Sequence, residues 1–188
     1  MQDLTLVIPA KYESESLPVF LNEIKHLKSK KLIVLQEDDV ETINSIREFK
    51  DIEILYQIEK GYGAALLEGI KHTSTSFFCI INADGSMNPD YLDKMLSKTK
   101  QNDLDFLFAS RYEKPGGGSD DDDFITSLGN FIFTKIGNVF FSLKITDILY
   151  TYVMGKTKSF NDLNLKSKDF TLCVEFPIKQ NKKKLLYS

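Results

Sequence analysis

Tryptophan is absent from this 188-residue chain, and cysteine occurs only twice. Cys79 and Cys173 lie far apart, each inside an apolar run (FFCII and TLCVEF), which reads as two buried free thiols rather than a disulfide. No Cys-x-x-Cys pair or Cys/His cluster suggests a zinc site. Positive charge is in slight deficit: 24 Lys and Arg stand against 27 Asp and Glu, for a formal net charge of -3. That balance argues against nucleic acid as a partner, because a phosphate backbone rewards a basic face. No basic-then-apolar leader precedes the first strand-like run, and the expectation is a reducing, cytoplasmic location. No long uninterrupted apolar run is present either. The nearest approach to a membrane span, Phe124 to Leu143, is broken by Lys135, Asn130, Asn138 and two glycines.

What is present is ordinary for one globular domain: 42% hydrophobic and 27% charged residues. Through the first 110 residues, short runs rich in Val, Ile and Phe alternate with helical patterns. Residues 4–9, 31–36, 52–57, 77–82 and 105–110 read as strands; the segments near 16–29, 41–49, 62–73 and 90–101 read as helices. Leu17, Phe20, Leu21, Ile24 and Leu27 give the first helix an apolar face. The β-α-β-α order predicts an α/β fold with a mostly parallel sheet covered on both faces, in which ligands bind beyond the carboxyl ends of the strands. A Gly/Asp-rich loop (112–123, with Gly116 to Gly118 and Asp120 to Asp123) then gives way to the apolar helical segment 124–143, a polar stretch at 156–169 and a short helical piece, FTLCVEFPIKQ.

Three strand ends carry candidate chemistry. Pro9-Ala10-Lys11-Tyr12-Glu13 follows the first strand, where a carboxylate can accept hydrogen bonds from a base or ribose, or where Ser14 and Ser16 simply cap a helix. Asn82-Ala83-Asp84-Gly85 follows the fourth, where oxygen ligands can hold Mg²⁺ or Mn²⁺, or where Asp84 closes an Asx-turn with Gly85 at positive φ. Gly61-Tyr62-Gly63-Ala64 opens a helix after the third. Its small residues allow close approach of a ligand or of the sheet, without matching a dinucleotide or Walker fingerprint.

The combination says more than its parts. Pro9…Glu13…Leu17-Pro18, Gly61-Tyr62-Gly63-Ala64…Gly69, Asn82-Ala83-Asp84 and Ser110-Arg111-Tyr112…Gly116-Gly117-Gly118 occur in that order. Ser127 to Asn130, Thr146-Asp147 and Phe170…Glu175-Phe176-Pro177-Ile178 follow. Together they resemble the family-2 glycosyltransferases of the GT-A (Rossmann-like) fold, with the nearest likeness to dolichol-phosphate mannose synthases and polyprenyl-phosphate sugar transferases. The resemblance implies a single domain over residues 1–188, with a nucleotide-sugar half (1–111) and an acceptor half (112–188). It implies that Pro9, Lys11, Glu13 and Glu37 line the nucleotide, that Ala83 sits at the diphosphate, and that Asp84 with Asn82 holds a Mg²⁺ or Mn²⁺ cofactor. Arg111 would clamp the diphosphate and Asp147 would serve the acceptor side, so that Asp84, Arg111 and Asp147 form the catalytic set. The chain departs from the family pattern at Asn82, where the first aspartate of the metal motif is expected, and at Gln36-Glu37, where an aspartate pair is. It also carries Lys11 for a tyrosine and acidic Asp120 to Asp123 for basic residues.

The implied reaction is an inverting transfer of a sugar from a nucleotide-diphosphate sugar to a polyprenyl phosphate, whose anionic oxygen needs no strong base. A hydroxyl acceptor would need one, and Asp147 or Glu175 is then the candidate. Two readings rival it: a catalytically silent nucleotide-sugar binder, and a Mg²⁺-using nucleotidyltransferase, which would want a glycine- and arginine-rich loop after strand one that Pro9 to Glu15 does not provide. Within 124–143, Leu128, Ile132, Ile136, Val139, Phe140 and Leu143 share a helical face that could pack on the sheet, leaving Phe131, Phe133 and Phe141 on other sides. A helix apolar nearly all round is buried, lies at a membrane surface, or forms a homodimer interface. The expectation here is the membrane face or the dimer, against a buried core helix.

Overall fold

The computed structural model describes residues 1–111, 124–143, 145–183 and 185, and for 124–131 and 133 the backbone alone. The glycine and aspartate runs at 116–118 and 120–123, and the side chains of Ser127 to Phe131 and Phe133, lie outside the described residues.

Five strands form where the apolar runs predict them: β1 (Leu4–Pro9), β2 (Lys30–Leu35), β3 (Glu53–Tyr56), β4 (Phe77–Ile80) and β5 (Phe106–Phe108). Helices α1 (Ser16–Ile24), α2 (Val40–Ser45), α3 (Tyr62–His72) and α4 (Leu92–Gln101) connect them, α4 being preceded by a 3-10 turn at Pro89–Tyr91. The long helix α5 (Phe124–Phe141) follows, then a sixth strand, β6 (Val153–Lys156), and two helices, α6 (Thr157–Asp162) and α7 (Leu172–Lys182). The sheet runs in the order β3-β2-β1-β4-β6-β5. The four strands β3, β2, β1 and β4 are parallel, and β6 pairs antiparallel with both β4 and β5.

β6 and α6 are the elements that sequence patterning missed. The strand segment VMGK has no alternation, and its glycine argues against a strand on propensity alone. Tertiary packing requires that glycine: a Cβ on Gly155 would stand 2.5 Å from Cδ1 of Phe106 on the neighbouring strand. α6, made of Thr157 to Asp162, is too polar to stand out, yet it buries Phe160 against Phe78 at 5.1 Å between ring centres.

Both sheet faces are covered. Leu17, Phe20, Leu21 and Ile24 of α1 and Leu92, Met95 and Leu96 of α4 pack on one, and α3, α6 and α7 pack on the other through Ala65, Leu66, Ile70, Phe160, Leu172 and Phe176. The carboxyl ends of the parallel strands, the end of β5 and the start of β6 therefore meet along one open edge.

α5 is one helix, but the face expected to pack inward is turned outward. Ile132 (48%), Ile136 (45%), Val139 (75%) and Phe140 (76%) are exposed. Of the expected inward set with described side chains, Leu143 alone is buried. The stripe that docks is small and polar: Thr134 Oγ1 accepts from Ile148 N–H at 3.2 Å, and the Asn138 amide spans the Ile145 backbone at 2.8 and 3.4 Å. A Cβ on Gly137 would meet Ile148 at 2.8 Å. Satisfying the 145–148 backbone decides the docking, because an orphaned buried peptide group is costly. Among the described residues no helix is long and apolar enough to cross a membrane.

Candidate active site

A cavity of about 1570 Å³ opens along the carboxyl edge of the sheet. The β1 end supplies Pro9, Lys11, Tyr12 and Glu13. Tyr12 takes a left-handed backbone, φ 59°. That geometry is held from below by Asp39, which accepts the Tyr12 N–H at 2.7 Å and also caps α2 through Thr42 N–H at 3.3 Å. Thr42 Oγ1 in turn accepts the Glu13 N–H at 3.0 Å. Asp39 is buried, and the acidic run after β2 thus shapes the first loop. Ser16 does not cap α1; its hydroxyl donates to the Glu13 carboxylate. The β2 end brings Gln36 to the cavity wall, whereas Glu37, expected to line the nucleotide, is exposed and stands outside that wall.

At the β4 end, Asn82, Ala83 and Asp84 all face the cavity. Asp84 closes the Asx-turn: Oδ1 accepts Ser86 N–H at 2.9 Å and Ser86 Oγ–H at 2.7 Å, with Gly85 at φ 77°. This leaves its second oxygen without a partner among the described residues and exposed, a hard donor available to a divalent cation. Asn82 Oδ1 accepts from the Tyr62 hydroxyl at 3.1 Å and keeps a second lone pair. Among the described residues no group of three acidic, His or Cys side chains could hold a metal. The residues present therefore fit an ion held by Asp84 and Asn82 and completed by oxygens of a bound diphosphate.

Tyr62 was not singled out as a functional residue, yet much converges on it. Its hydroxyl also pairs with Thr151 Oγ1 at 2.6 Å, burial pushes its pKa well above the ordinary tyrosine value, and Phe170 stacks on its ring at 4.9 Å and 14°. The two flanking glycines serve the protein rather than a ligand. A Cβ at Gly61 or Gly63 would collide with the Ser167–Asp169 backbone, and Ala64 N–H donates to Lys168 O at 2.9 Å. Glu175 pins that same loop, accepting from Lys166 N–H and Ser167 N–H, the latter at 2.8 Å, and pairing with Lys179 at 2.8 Å. Burial would raise the Glu175 carboxyl, but Lys179 and the two N–H groups outweigh it and hold the pKa at about 2. These contacts make it an anchor of the 166–167 backbone.

Arg111 lines the far side of the cavity; Asp147 does not. Asp147 is buried and gripped by the Arg111 fork, Nε at 2.8 Å and Nη2 at 3.2 Å, and by the Arg111 N–H at 3.4 Å. The guanidinium also lies 5.0 Å from the Tyr150 ring centre. Asp147, expected as a catalytic residue on the acceptor side, thus spends both oxygens on holding Arg111.

Comparison with known proteins gives one consistent answer. The glycosyl transferase family 2 model matches residues 5–163. An uncharacterized glycosyltransferase of Mycobacterium tuberculosis (strain ATCC 25618 / H37Rv) is 26% identical over 95 residues, covering 50% of this chain and 43% of that protein. Mannosyl-3-phosphoglycerate synthase from Rubrobacter xylanophilus superposes with a TM-score of 0.65 at 17% identity, covering 84% of this chain and 54% of that one. Glucosyl-3-phosphoglycerate synthase from M. tuberculosis, solved with Mn²⁺, UDP-glucose and phosphoglyceric acid, gives 0.66 at 13% identity, covering 96% and 65%. The chain spans less than half the length of that curated relative and roughly half to two thirds of the solved chains. At these identities the solved structures establish the fold alone.

Proposed function

The chain belongs to glycosyl transferase family 2, and on that premise we propose that it moves a sugar from a nucleotide-diphosphate sugar to an acceptor whose attacking oxygen belongs to a phosphate, a polyprenyl phosphate being the acceptor in view. The observation that carries this reading is the pairing of an exposed carboxylate, Asp84, with a rigidly held guanidinium, Arg111, on the walls of one cavity. Pro9, Lys11, Glu13 and Gln36 offer the nucleotide its wall, and Asp84 with Asn82 would hold Mg²⁺ or Mn²⁺ against the diphosphate. The ion, when bound, neutralises charge on the departing diphosphate. Arg111, held in place by Asp147, would set its positive charge beside the same developing charge without reorganising. Displacement from the face opposite the leaving group would invert the anomeric centre.

Support for a phosphate acceptor comes from how the two candidate bases are engaged. Glu175 is tied to the 166–167 backbone and Asp147 to Arg111, so neither candidate base is poised to take a hydroxyl proton. A phosphate oxygen needs none. A hydroxyl on a small phosphate-bearing molecule is the second reading, favoured by the phosphoglycerate-using relatives of the same fold. Thermal-shift screening against UDP- and GDP-sugars with Mn²⁺, followed by turnover with undecaprenyl phosphate and with 3-phosphoglycerate, tests the proposal. Metal-dependent sugar transfer to the lipid phosphate is expected. Transfer to 3-phosphoglycerate alone would move the assignment to the second reading. Donor binding without transfer or hydrolysis would make the chain a silent binder.

A further inference from the structure

Phe170 is out of place by ordinary rules of burial: a large apolar ring, 71% exposed, on the rim of the cavity. Its surroundings show why it stays there. One face is stacked on Tyr62, ring centres 4.9 Å apart and 14° from parallel. Tyr62 cannot swing away, since its hydroxyl is engaged by Asn82 Oδ1 at 3.1 Å and Thr151 Oγ1 at 2.6 Å. The backbone leading to Phe170 is equally constrained: the 167–169 loop lies on Gly61 and Gly63, accepts the Ala64 N–H through Lys168 O at 2.9 Å, and is anchored by Glu175. Asp169 fixes the following turn by accepting from Thr171 N–H at 2.9 Å and Thr171 Oγ–H at 2.5 Å. A flexible surface phenylalanine would need none of this. The arrangement is a rigid aromatic plate, backed on one side and open on the other, one hydrogen bond removed from the Asn82-Ala83-Asp84 motif.

We propose that Phe170 is a stacking subsite for a ring of the donor, taking the apolar face of the transferred pyranose or the face of the nucleobase. The chemistry is the same for both: a flat or weakly polar ring face laid on an aromatic π-face in a partly desolvated cleft. The link through Tyr62 to Asn82 makes the plate specific to the donor side, because the residue that steadies the ring also steadies the motif facing the diphosphate. The inference rests on the cavity being a nucleotide-sugar site, as proposed above.

Calorimetric titration of wild-type protein, Phe170→Ala and Phe170→Tyr with UDP-glucose, UDP and inorganic pyrophosphate, each with Mn²⁺, tests it; the GDP series replaces the UDP series if the screen above selects guanosine. Phe170→Ala is expected to weaken the nucleotide sugar about fivefold to tenfold, to leave pyrophosphate unchanged, and to be rescued by Phe170→Tyr. Loss confined to the nucleotide sugar places the pyranose on the ring; equal loss for the nucleoside diphosphate places the base there. A wild-type protein that binds the donor while Phe170→Ala binds it equally well overturns the subsite and leaves the proposed function standing. A wild-type protein that binds no member of either series overturns both. Because Phe170 is exposed and its capping neighbours are untouched, folding of the alanine variant is checked simply by its unchanged pyrophosphate affinity and melting temperature.

Discussion

Residues that face a ligand and residues that hold them in place look alike in a sequence, and this site contains both. Asp84 could be read from its place after a strand, and Arg111 through the family resemblance that Ser110-Arg111-Tyr112 helps to carry. The pairings that hold such residues could not. Asp147 lies 36 residues from Arg111, Asp39 lies 27 from Tyr12, and Tyr62 lies 20 from Asn82. Their roles come from the sheet bringing strand ends together, which no local spacing encodes. The coupling gives Arg111 a structural task beside the one toward the diphosphate that the resemblance implies. Removing its fork would take this cation from a buried carboxylate, a loss of about 3 to 5 kcal/mol. Arg111→Ala should therefore lose both stability and donor affinity, whereas Arg111→Lys keeps the charge on Asp147, retains most of the melting temperature and weakens the donor about tenfold. Denaturation and calorimetry on the two variants separate these effects; equal donor affinity in Arg111→Lys and wild type would remove Arg111 from the diphosphate. Asn82→Asp should tighten Mn²⁺ by restoring a formal charge beside Asp84, read by Mn²⁺ titration, and weaker binding would contradict the placement of that motif. Glu175 gives a pH signature. Its folded pKa, about 2, lies below the ordinary glutamate value of 4.5. A depressed carboxylate stabilises the fold above the unfolded pKa, and that contribution is lost as pH falls from about 4.5 toward 2. Glu175→Gln should consequently narrow its stability gap to wild type across that window, measured by melting temperature at stepped pH; a gap that stays constant would show that the 166–167 loop does not depend on this charge.

At the scale of elements, hydrophobic periodicity located β1 to β5 and the helices between them. It failed where tertiary contacts outvote pattern. β6 is a four-residue strand whose glycine is demanded by Phe106. α5 is the sharper case, since its length was readable but its orientation was not: an apolar stripe promises burial, yet Thr134 and Asn138 dock because they satisfy the 145–148 backbone, and Gly137 makes room for Ile148. The outward stripe of Ile132, Ile136, Val139 and Phe140 is the surface on which contact with a membrane or with a second copy would rest. Val139→Glu with Phe140→Glu should leave the melting temperature within about 2 °C, as expected of exposed positions, while abolishing co-sedimentation with anionic vesicles. Vesicle binding that survives the double substitution would assign membrane contact to another surface, and a dimer by light scattering that the substitution dissolves would assign the stripe to self-association.

Over the whole molecule, the β-α-β order foretold a mostly parallel sheet with its site at the carboxyl edge, and the antiparallel β6 completes that edge by delivering Tyr150, Thr151 and Tyr152 to the cavity. The proposed nucleotide-sugar site rests on the family, the carboxyl-edge cavity and the motif residues together, and in it Asp84 would bear the metal side. The most direct test is titration of a nucleotide-diphosphate sugar into wild-type protein and Asp84→Ala, with Mn²⁺ and with chelator. The account predicts metal-dependent binding that Asp84→Ala abolishes, in a variant that melts as wild type does because the side chain is exposed. Unchanged, metal-independent affinity in Asp84→Ala would contradict it.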